Sequence, residues 1–280
     1  MRDYLIINGR NLKEFGIYAF GNSIHDFPER VVEKISVPGR TGDLFIDKGK
    51  WENINVEYSA VLLDGANLDR LKAFLMTLNG YVRIESTFEP DYYRMGRFLG
   101  ASSPKVHKEA ATVTLKFDCK PQKWLKSGEV GNWSDTILVT EESPVTIYNP
   151  TAYPARPYLM ILPERPSGTI TFTNYLVCVN TYGQPYTKDI GHSIITAKRE
   201  QHGNWYYIDC ETKTAFWYGN NLTSLITVEG GDFPQIMPKR CGNEPVDIEG
   251  QVYNVIDSYT VVEIDNMSSS VHVAPRWWTL

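Results

Sequence analysis

The sequence is poor in cysteine, and the few it has are not arranged as a framework. Its 280 residues include four cysteines, with no Cys-x-x-Cys pair among them: Cys119, Cys178, Cys210 and Cys241. Disulfide frameworks and structural zinc sites normally show paired, closely spaced cysteines. We therefore predict reduced cysteines that are mostly buried and behave as small apolar side chains.

Histidine is also scarce, and familiar catalytic motifs are missing. The five histidines are isolated from one another: His25, His107, His192, His202 and His272. Glycine-rich phosphate-binding loops, the Gly-x-Ser-x-Gly turn and the His-Glu-x-x-His zinc motif do not occur. We predict no catalytic residues, no metal and no cofactor. Carboxylates are plentiful, however, so a glycosidase pair assembled in three dimensions remains an alternative.

Long hydrophobic runs and excess positive charge are absent as well. No apolar segment approaches the roughly 18 residues of a membrane-spanning helix, and the first ten residues lack the apolar core of a signal peptide. Residues 1–120 hold 17 Lys and Arg against 16 Asp and Glu, and residues 121–280 hold 11 against 17. We expect no membrane insertion, no secretion signal and no nucleic-acid partner.

What is present is a pattern of short strands and turns, typical of a mainly β chain. A polar stretch at 126–132 suggests two domains, 1–130 and 131–280. After it, strands of about five to seven residues recur between turn residues, as in a β-sandwich or jelly roll. The predicted strands are 136–140, 144–148, 157–162, 168–173, 175–180, 192–198, 204–209, 214–218, 224–228, 252–256 and 259–264.

The first domain is predicted to contain strands, hairpins and one helix. Asn8-Gly9 favours a tight turn, Ile54 to Ala60 alternates like a half-buried strand, and 111–119 is an alternating strand that Pro121 should end. Leucines at three- and four-residue spacing predict a helix at about 65–79, whose apolar face carries Leu68, Leu71, Leu75 and Leu78. Asp64 or Asn67 is the predicted N-cap, and Gly80 follows the end of the helix.

Two segments of this domain carry charge and aromatic rings at predicted turns. In 37–53, three glycines punctuate the strand 44–46; we interpret Asp47–Lys50 as a hairpin turn and 51–63 as the returning strand. In 89–98, tyrosines and arginines lie side by side and suit a sheet edge or a subunit contact better than a ligand platform. The candidate interface residues are Arg40, Asp43, Lys48, Lys50, Trp51, Tyr92, Arg94 and Arg97.

Several stretches, taken in order, resemble one family. Two segments of the first domain are similar to the distal tail proteins of long-tailed phages that infect Gram-positive bacteria. They are Val-Pro-Gly-Arg-Thr-Gly-Asp-Leu-Phe-Ile-Asp-Lys-Gly-Lys-Trp-Glu-Asn at 37–53 and the Asp-x-Tyr-Arg-x-Gly segment at 91–96. In the second domain the resemblance continues at 205–211, 215–219, 231–234 and 274–280, the last reading Ala-Pro-Arg-Trp-Trp-Thr-Leu. Two adjacent indoles near a chain end should be docked rather than left in water.

The resemblance implies a structural tail protein and not an enzyme. It implies an N-terminal β-sandwich with one helix and a hairpin, which closes as a homohexameric ring, with two rings back to back as a further form in isolation. It implies a C-terminal galectin-like, jelly-roll-like sandwich. The implied neighbours are the tail tube protein, the tail-tip protein (a tail-associated lysin or fibre) and a receptor-binding protein. The implied location is the distal end of the virion tail, after synthesis in the host cytoplasm.

Two alternatives from other classes remain. The Trp and Tyr side chains of the second domain would suit a carbohydrate-binding sandwich, although aromatic residues of such domains more often lie in the core. A glycoside hydrolase is the second alternative, for which the sequence favours no carboxylate pair.

Overall fold

Strand pairing organises nearly all of the chain. The structure is a computed structural model that describes residues 4–21, 27–62, 68–101, 105–107, 110–129, 136–240, 244–248, 250–267 and 270–280. The chain divides into two units, Met1–Lys126 with Leu280 (unit 1) and Ser127–Thr279 (unit 2). The division falls at the start of the polar stretch 126–132.

Unit 1 contains ten strands among its described residues, one α-helix and a 3-10 helix at Leu12–Phe15. The helix α1 spans Leu68–Met76. The strands are β1 (Leu5–Ile7), β2 (Arg10–Asn11), β3 (Ile17–Gly21), β4 (Arg30–Ile35), β5 (Leu44–Trp51), β6 (Ile54–Leu62), β7 (Tyr81–Ser86), β8 (Tyr92–Ala101), β9 (Lys105–His107) and β10 (Ala110–Leu125).

The main sheet of unit 1 is antiparallel, in the order β2-β1-β7-β8-β10-β6-β3, with β9 also paired to β10. Alternation in the sequence sets its two faces. Val56, Tyr58 and Ala60 of β6 lie opposite Phe117, Leu115 and Val113 of β10, and all six are buried. The predicted alternating strands are confirmed, as is the tight turn at Asn8 and Gly9, whose φ angles of 50° and 76° suit a type I′ hairpin.

The helix covers the apolar face of this sheet. Leu71 and Leu75 are buried, and Phe74 stacks on Phe15 with ring centroids 5.5 Å apart. It ends at Met76, earlier than the predicted 79. The N–H groups of Thr77 and Leu78 donate to carbonyls three residues back, which tightens the last turn. The proposed caps Asp64 and Asn67 lie outside the described residues.

Proline did not end β10, contrary to the prediction. The strand continues through Pro121 to Leu125, and its register with β8 shifts between Cys119 and Lys123. On the other side, pairing with β6 stops at Cys119. Pro121 therefore occupies an irregular stretch where no ladder hydrogen bond from its nitrogen is required, as expected for a proline at a bulge.

Unit 2 contains thirteen strands among its described residues and a 3-10 helix at Thr223–Leu225. The strands are β11 (Ile137–Val139), β12 (Val145–Ile147), β13 (Tyr158–Ile161), β14 (Ser167–Val179), β15 (Pro185–Lys198), β16 (Tyr206–Asp209), β17 (Thr214–Trp217), β18 (Asn220–Asn221), β19 (Ile226–Glu229), β20 (Glu244–Ile248), β21 (Gln251–Asp265), β22 (Val271–Ala274) and β23 (Trp278–Thr279).

Two antiparallel sheets make unit 2 a β-sandwich. One has the order β11-β22-β13-β16-β17-β18, and the other β12-β21-β14-β15-β19, with β20 on β21. Their inward side chains are fully buried, among them Ile161, Tyr206, Phe172 and Ile195. The prediction of a mainly β chain with a helix and a hairpin is confirmed.

Several predicted strand boundaries in unit 2 were wrong. Segments 168–173 and 175–180 belong to one strand, β14, whose register with β15 shifts after Asn174. Segments 252–256 and 259–264 likewise form β21. Asn174 resembles a turn residue in the sequence, but its side chain accepts a hydrogen bond from Thr260 Oγ1 at 2.7 Å. The Asn174 side chain therefore bonds to a neighbouring strand instead of to its own backbone, and the strand continues through it.

The predicted cysteine burial is confirmed for the three cysteines that the structure describes. Cys119, Cys178 and Cys210 are buried. Burial raises the pKa of the Cys119 thiol to about 12, so this side chain stays protonated at neutral pH and is unreactive. Cys241 lies outside the described residues.

A pair of adjacent glycines offers a matched test of backbone packing. Gly230 and Gly231 follow β19 and share a φ of +95°, but a Cβ on Gly230 would lie 2.4 Å from the carbonyl oxygen of His192, whereas one on Gly231 would meet nothing within 4 Å. Gly230→Ala should therefore destabilise the protein by about 1–3 kcal/mol more than Gly231→Ala. Urea unfolding of both variants measures this, and equal losses would contradict the packing account.

Candidate functional site

The hairpin β4–β5 stands outside the main sheet of unit 1 as a separate two-stranded sheet. Its loop is built by a tight turn, in which the N–H of Arg40 donates to the carbonyl of Val37 at 3.1 Å. Pro38 occupies the second position of this turn, and Gly39, at a φ of +79°, occupies the third. That combination is the one a type II turn requires.

The segment Asp47–Lys50 is a bulge and not the predicted hairpin turn. Strand β5 runs through it to Trp51; Asp47 lies opposite Val32, and Trp51 lies opposite Arg30. Gly49 has a φ of +70°, and its N–H donates to Asp47 Oδ1 at 2.8 Å. An Asx hydrogen bond followed by a left-handed glycine serves a bulge as well as a turn. The predicted returning strand begins only at Ile54.

Charged and aromatic side chains tie the two strands of the hairpin together. Lys48 is paired with Glu33, and Arg30 Nε lies 3.5 Å from Asp47 Oδ2. The Arg30 guanidinium also covers the Trp51 ring at 4.4 Å. Lys48 and Trp51 therefore have structural roles within the hairpin. The other candidates in this segment are exposed: Arg40, Asp43 and Lys50.

The hairpin also exposes an unusual amount of apolar surface. More than a third of the area of each of six residues is accessible, with Phe45 reaching 59%: Val32, Ile35, Val37, Leu44, Phe45 and Ile46. Ile35 pairs across the strands with Leu44, and Ile46 follows on the same face. A lone two-stranded hairpin is marginal in water, and several exposed apolar side chains on one hairpin indicate an interaction surface. These six residues define the hairpin surface.

The second candidate segment, on β8, divides between the two faces of the sheet. Arg94 is 4% exposed, with Nε 3.9 Å from Glu89 Oε2, and Lys123 Nζ lies 2.7 Å from Glu89 Oε1. Arg97 points outward and pairs with Asp118 at 3.3 Å. Tyr92 is half-buried beneath the ammonium of Lys123. Arg94 therefore belongs to the interior of unit 1, because strand alternation places it with the buried Gly96.

Asp232, in the Gly-Asp-Phe-Pro stretch of unit 2, is surrounded by hydrogen-bond donors. Asp232 accepts hydrogen bonds from Lys213 Nζ at 2.7 Å, from Arg156 Nη2 at 3.2 Å and from the N–H of Phe233 at 2.8 Å. These bonds, that from Lys213 foremost, lower the pKa of Asp232 to about 2. The Gly-Asp-Phe-Pro stretch is thereby tied to the turn between β16 and β17 and to the segment that precedes β13.

The Pro-Arg-Trp-Trp stretch is docked, as predicted. Arg276 Nη1 donates to Asp209 Oδ1 at 2.6 Å, and Arg276 also pairs with Glu211. Trp277 is 7% exposed. Trp278 stacks on Tyr153 at 4.5 Å, and its indole N–H donates to the Pro154 carbonyl at 2.9 Å. Asp209 and Glu211 are therefore structural partners of Arg276.

Within the part of the chain that the structure describes, no group of three His, Cys, Asp or Glu side chains could hold a metal ion. In the same residues, no helix is long and apolar enough to cross a bilayer.

The fold and the exposed hairpin define a class: a two-unit, mainly β chain with a separate hairpin that exposes apolar side chains. No family model matches the sequence, and no curated protein matches it. Among solved structures, the chain is similar to SPP1 Dit (gp 19.1), described as a paradigm of hub adsorption apparatus in Gram-positive infecting phages. The TM-score is 0.55 at 15% identity, covering 95% of this chain and 100% of that chain. The resemblance to distal tail proteins is confirmed in fold.

Asp232 provides a test of the ties in unit 2 by pH. Its folded pKa lies below the ordinary value of about 4, so the stability it contributes is present above that value and is lost as pH falls from about 4 to 2. Because the carboxylate is 46% exposed, Asp232→Asn should cost only about 0.2–1 kcal/mol at pH 7. The difference from the native protein should vanish near pH 2.

Thermal unfolding from pH 7 to pH 2 measures this difference, with Asp265→Asn, an exposed carboxylate at the end of β21, as the matched control. A deficit in Asp232→Asn that is constant over the whole range would show that the contribution is not electrostatic.

Proposed function

We propose that this protein is the structural hub of a phage tail tip, a distal tail protein that forms a hexameric ring between the tail tube and the tail-tip and host-recognition proteins. The observation that carries the proposal is the fold match, which extends over 95% of this chain and the whole of the phage hub protein. A match over both units is more informative than one confined to a single β-sandwich, since sandwiches serve many functions.

The hairpin surface supplies a physical reason for ring assembly. Its apolar side chains gain stability only by burial against another surface, at about 25 cal/mol per Å² removed from water. When a protruding element of one copy contacts a different surface of the next, the interface is heterologous, and such interfaces close into rings when the rotation per copy permits. Six copies would match a sixfold tail tube.

The proposed partners follow from this position in the tail. The ring would bind the tail tube protein on one side and the tail-tip protein, a lysin or fibre, on the other, with a receptor-binding protein as a further neighbour. Purified rings would also stack in back-to-back pairs. Unit 2 would be the outward-facing galectin-like domain. The protein would act without catalysis, at the distal end of the virion tail, after synthesis in the host cytoplasm.

Removing apolar side chains from the hairpin surface should disrupt the ring. Leu44→Ser with Ile46→Ser leaves unit 1's main sheet untouched but removes two exposed side chains from one face of the hairpin. The native protein should have the mass of six copies, or twelve, in light scattering and show sixfold rings by negative-stain electron microscopy. The double variant should shift towards the monomer.

The control for this variant is Met76→Ser, which alters an apolar side chain on the helix that is more exposed than Leu44 or Ile46, at 80% against 42% and 41%. A native protein that stays monomeric at high concentration, also when mixed with tail tube protein, would overturn the hub proposal.

Charges at the two candidate segments should also contribute to assembly. Arg40 lies exposed in the hairpin loop and Arg97 on the outer face of the sheet, paired with Asp118. Arg40→Ala with Arg97→Ala should weaken ring formation. The difference in ring formation between the native protein and this variant should shrink as the salt concentration rises, because exposed charges are screened. Arg70→Ala with Lys72→Ala on the helix removes the same net charge and serves as the control. Unchanged ring formation would exclude these arginines from the interface.

A further inference from the structure

The sheet β11-β22-β13-β16-β17-β18 of unit 2 has one face turned towards the sandwich core and one turned away from it. Alternation sends Leu159, Tyr206 and Ile208 into the sandwich, where they are fully buried. The neighbouring positions, Tyr158 and Tyr207, project to the opposite side and are only half-buried. The outer face of this sheet therefore carries aromatic rings on neighbouring strands.

The rings on this face form a continuous platform centred on Tyr207. Its ring centroid lies 5.6 Å from Tyr158, 5.9 Å from Phe216 and 5.7 Å from Trp217. Tyr218, which is 85% exposed, extends the platform from Trp217 at 4.4 Å. We call these five residues the aromatic platform.

Ionic groups border the platform, and their charges are balanced. Asp209 pairs with Arg276, which also pairs with Glu211. Asp232 pairs with Lys213 and Arg156. Three carboxylates thus face three basic groups, so this border presents many hydrogen-bonding atoms with no net charge. The arrangement offers nothing that would select a polyanion over a neutral ligand.

The composition of the platform differs from that of the hairpin surface in unit 1. There, the exposed side chains are mainly aliphatic, which suits burial against another protein surface. On the aromatic platform, flat rings, three of them with phenolic hydroxyls, are bordered by hydrogen-bonding groups. A pyranose has the matching chemistry, because its C–H face packs on an aromatic ring while its hydroxyl groups exchange hydrogen bonds with polar side chains at the edge.

We propose that the aromatic platform of unit 2 binds a neutral oligosaccharide, with Tyr207 and Trp217 as stacking residues and the Asp209–Arg276 and Asp232–Lys213 pairs as hydrogen-bonding groups at its border. Such a site would give the outward-facing unit direct contact with a glycan-covered surface. The proposal goes beyond the hub role and does not depend on it, since one copy contains the whole platform.

The test uses the full-length protein on an array of immobilised neutral hexose and N-acetylhexosamine oligosaccharides, followed by titration calorimetry with the member that gives the highest signal. Tyr207→Ala and Trp217→Ala should each weaken binding by roughly 2- to 12-fold, the range for loss of one aromatic contact. Tyr207→Phe keeps the ring and should retain most of the affinity, which separates stacking from any folding defect.

The matched control is Tyr148→Ala. This tyrosine is 59% exposed and belongs to a second ring cluster, with Tyr259, on the other sheet of the same unit. It should leave binding unchanged. Binding to none of the neutral oligosaccharides, or loss of binding with Tyr148→Ala and not with Tyr207→Ala, would overturn the proposal. Light scattering of each variant reports ring formation separately, so failure of the hub role would be recognised independently.

Discussion

A two-stranded hairpin cannot bury its own apolar side chains, and this constraint connects the fold of unit 1 with assembly. Ile35, Leu44 and Ile46 lie on a sheet of only two strands, and all three side chains stay exposed. The ion pairs and the Arg30–Trp51 contact hold the strands in register without covering them. The proposed ring contact would remove this surface from water.

The main sheet of unit 1, in contrast to the hairpin, has a buried apolar core. Strand β10 pairs with β8 on one side and β6 on the other, and its inward side chains fill the core. One charged group is built into that core: Arg94 lies beside Glu89, whose other oxygen accepts from Lys123. Burying a charge has a desolvation cost that a nearby carboxylate offsets, so removing Glu89 would take away part of the compensation for the Arg94 charge.

In unit 2, the same physics of alternation yields two different surfaces. The inward side chains of both sheets make one apolar core, while the outward side chains of one sheet form an aromatic platform bordered by paired charges. Two of the stretches that resemble distal tail proteins carry ionic contacts within unit 2: Arg276 binds Asp209, and Asp232 binds Lys213 and Arg156. These contacts connect segments that are separated in the chain.

The sequence by itself determined the elements whose cause is local. Alternation predicted the buried faces of β6 and β10, leucine spacing predicted α1, and Asn8-Gly9 predicted its turn, because each depends on residues only a few positions apart. Tertiary structure alone decided whether Asp47–Lys50 is a turn or a bulge, whether Pro121 ends a strand, and whether Arg94 faces water. Each of these depends on the strand that lies alongside, and the chain must fold before that neighbour is present.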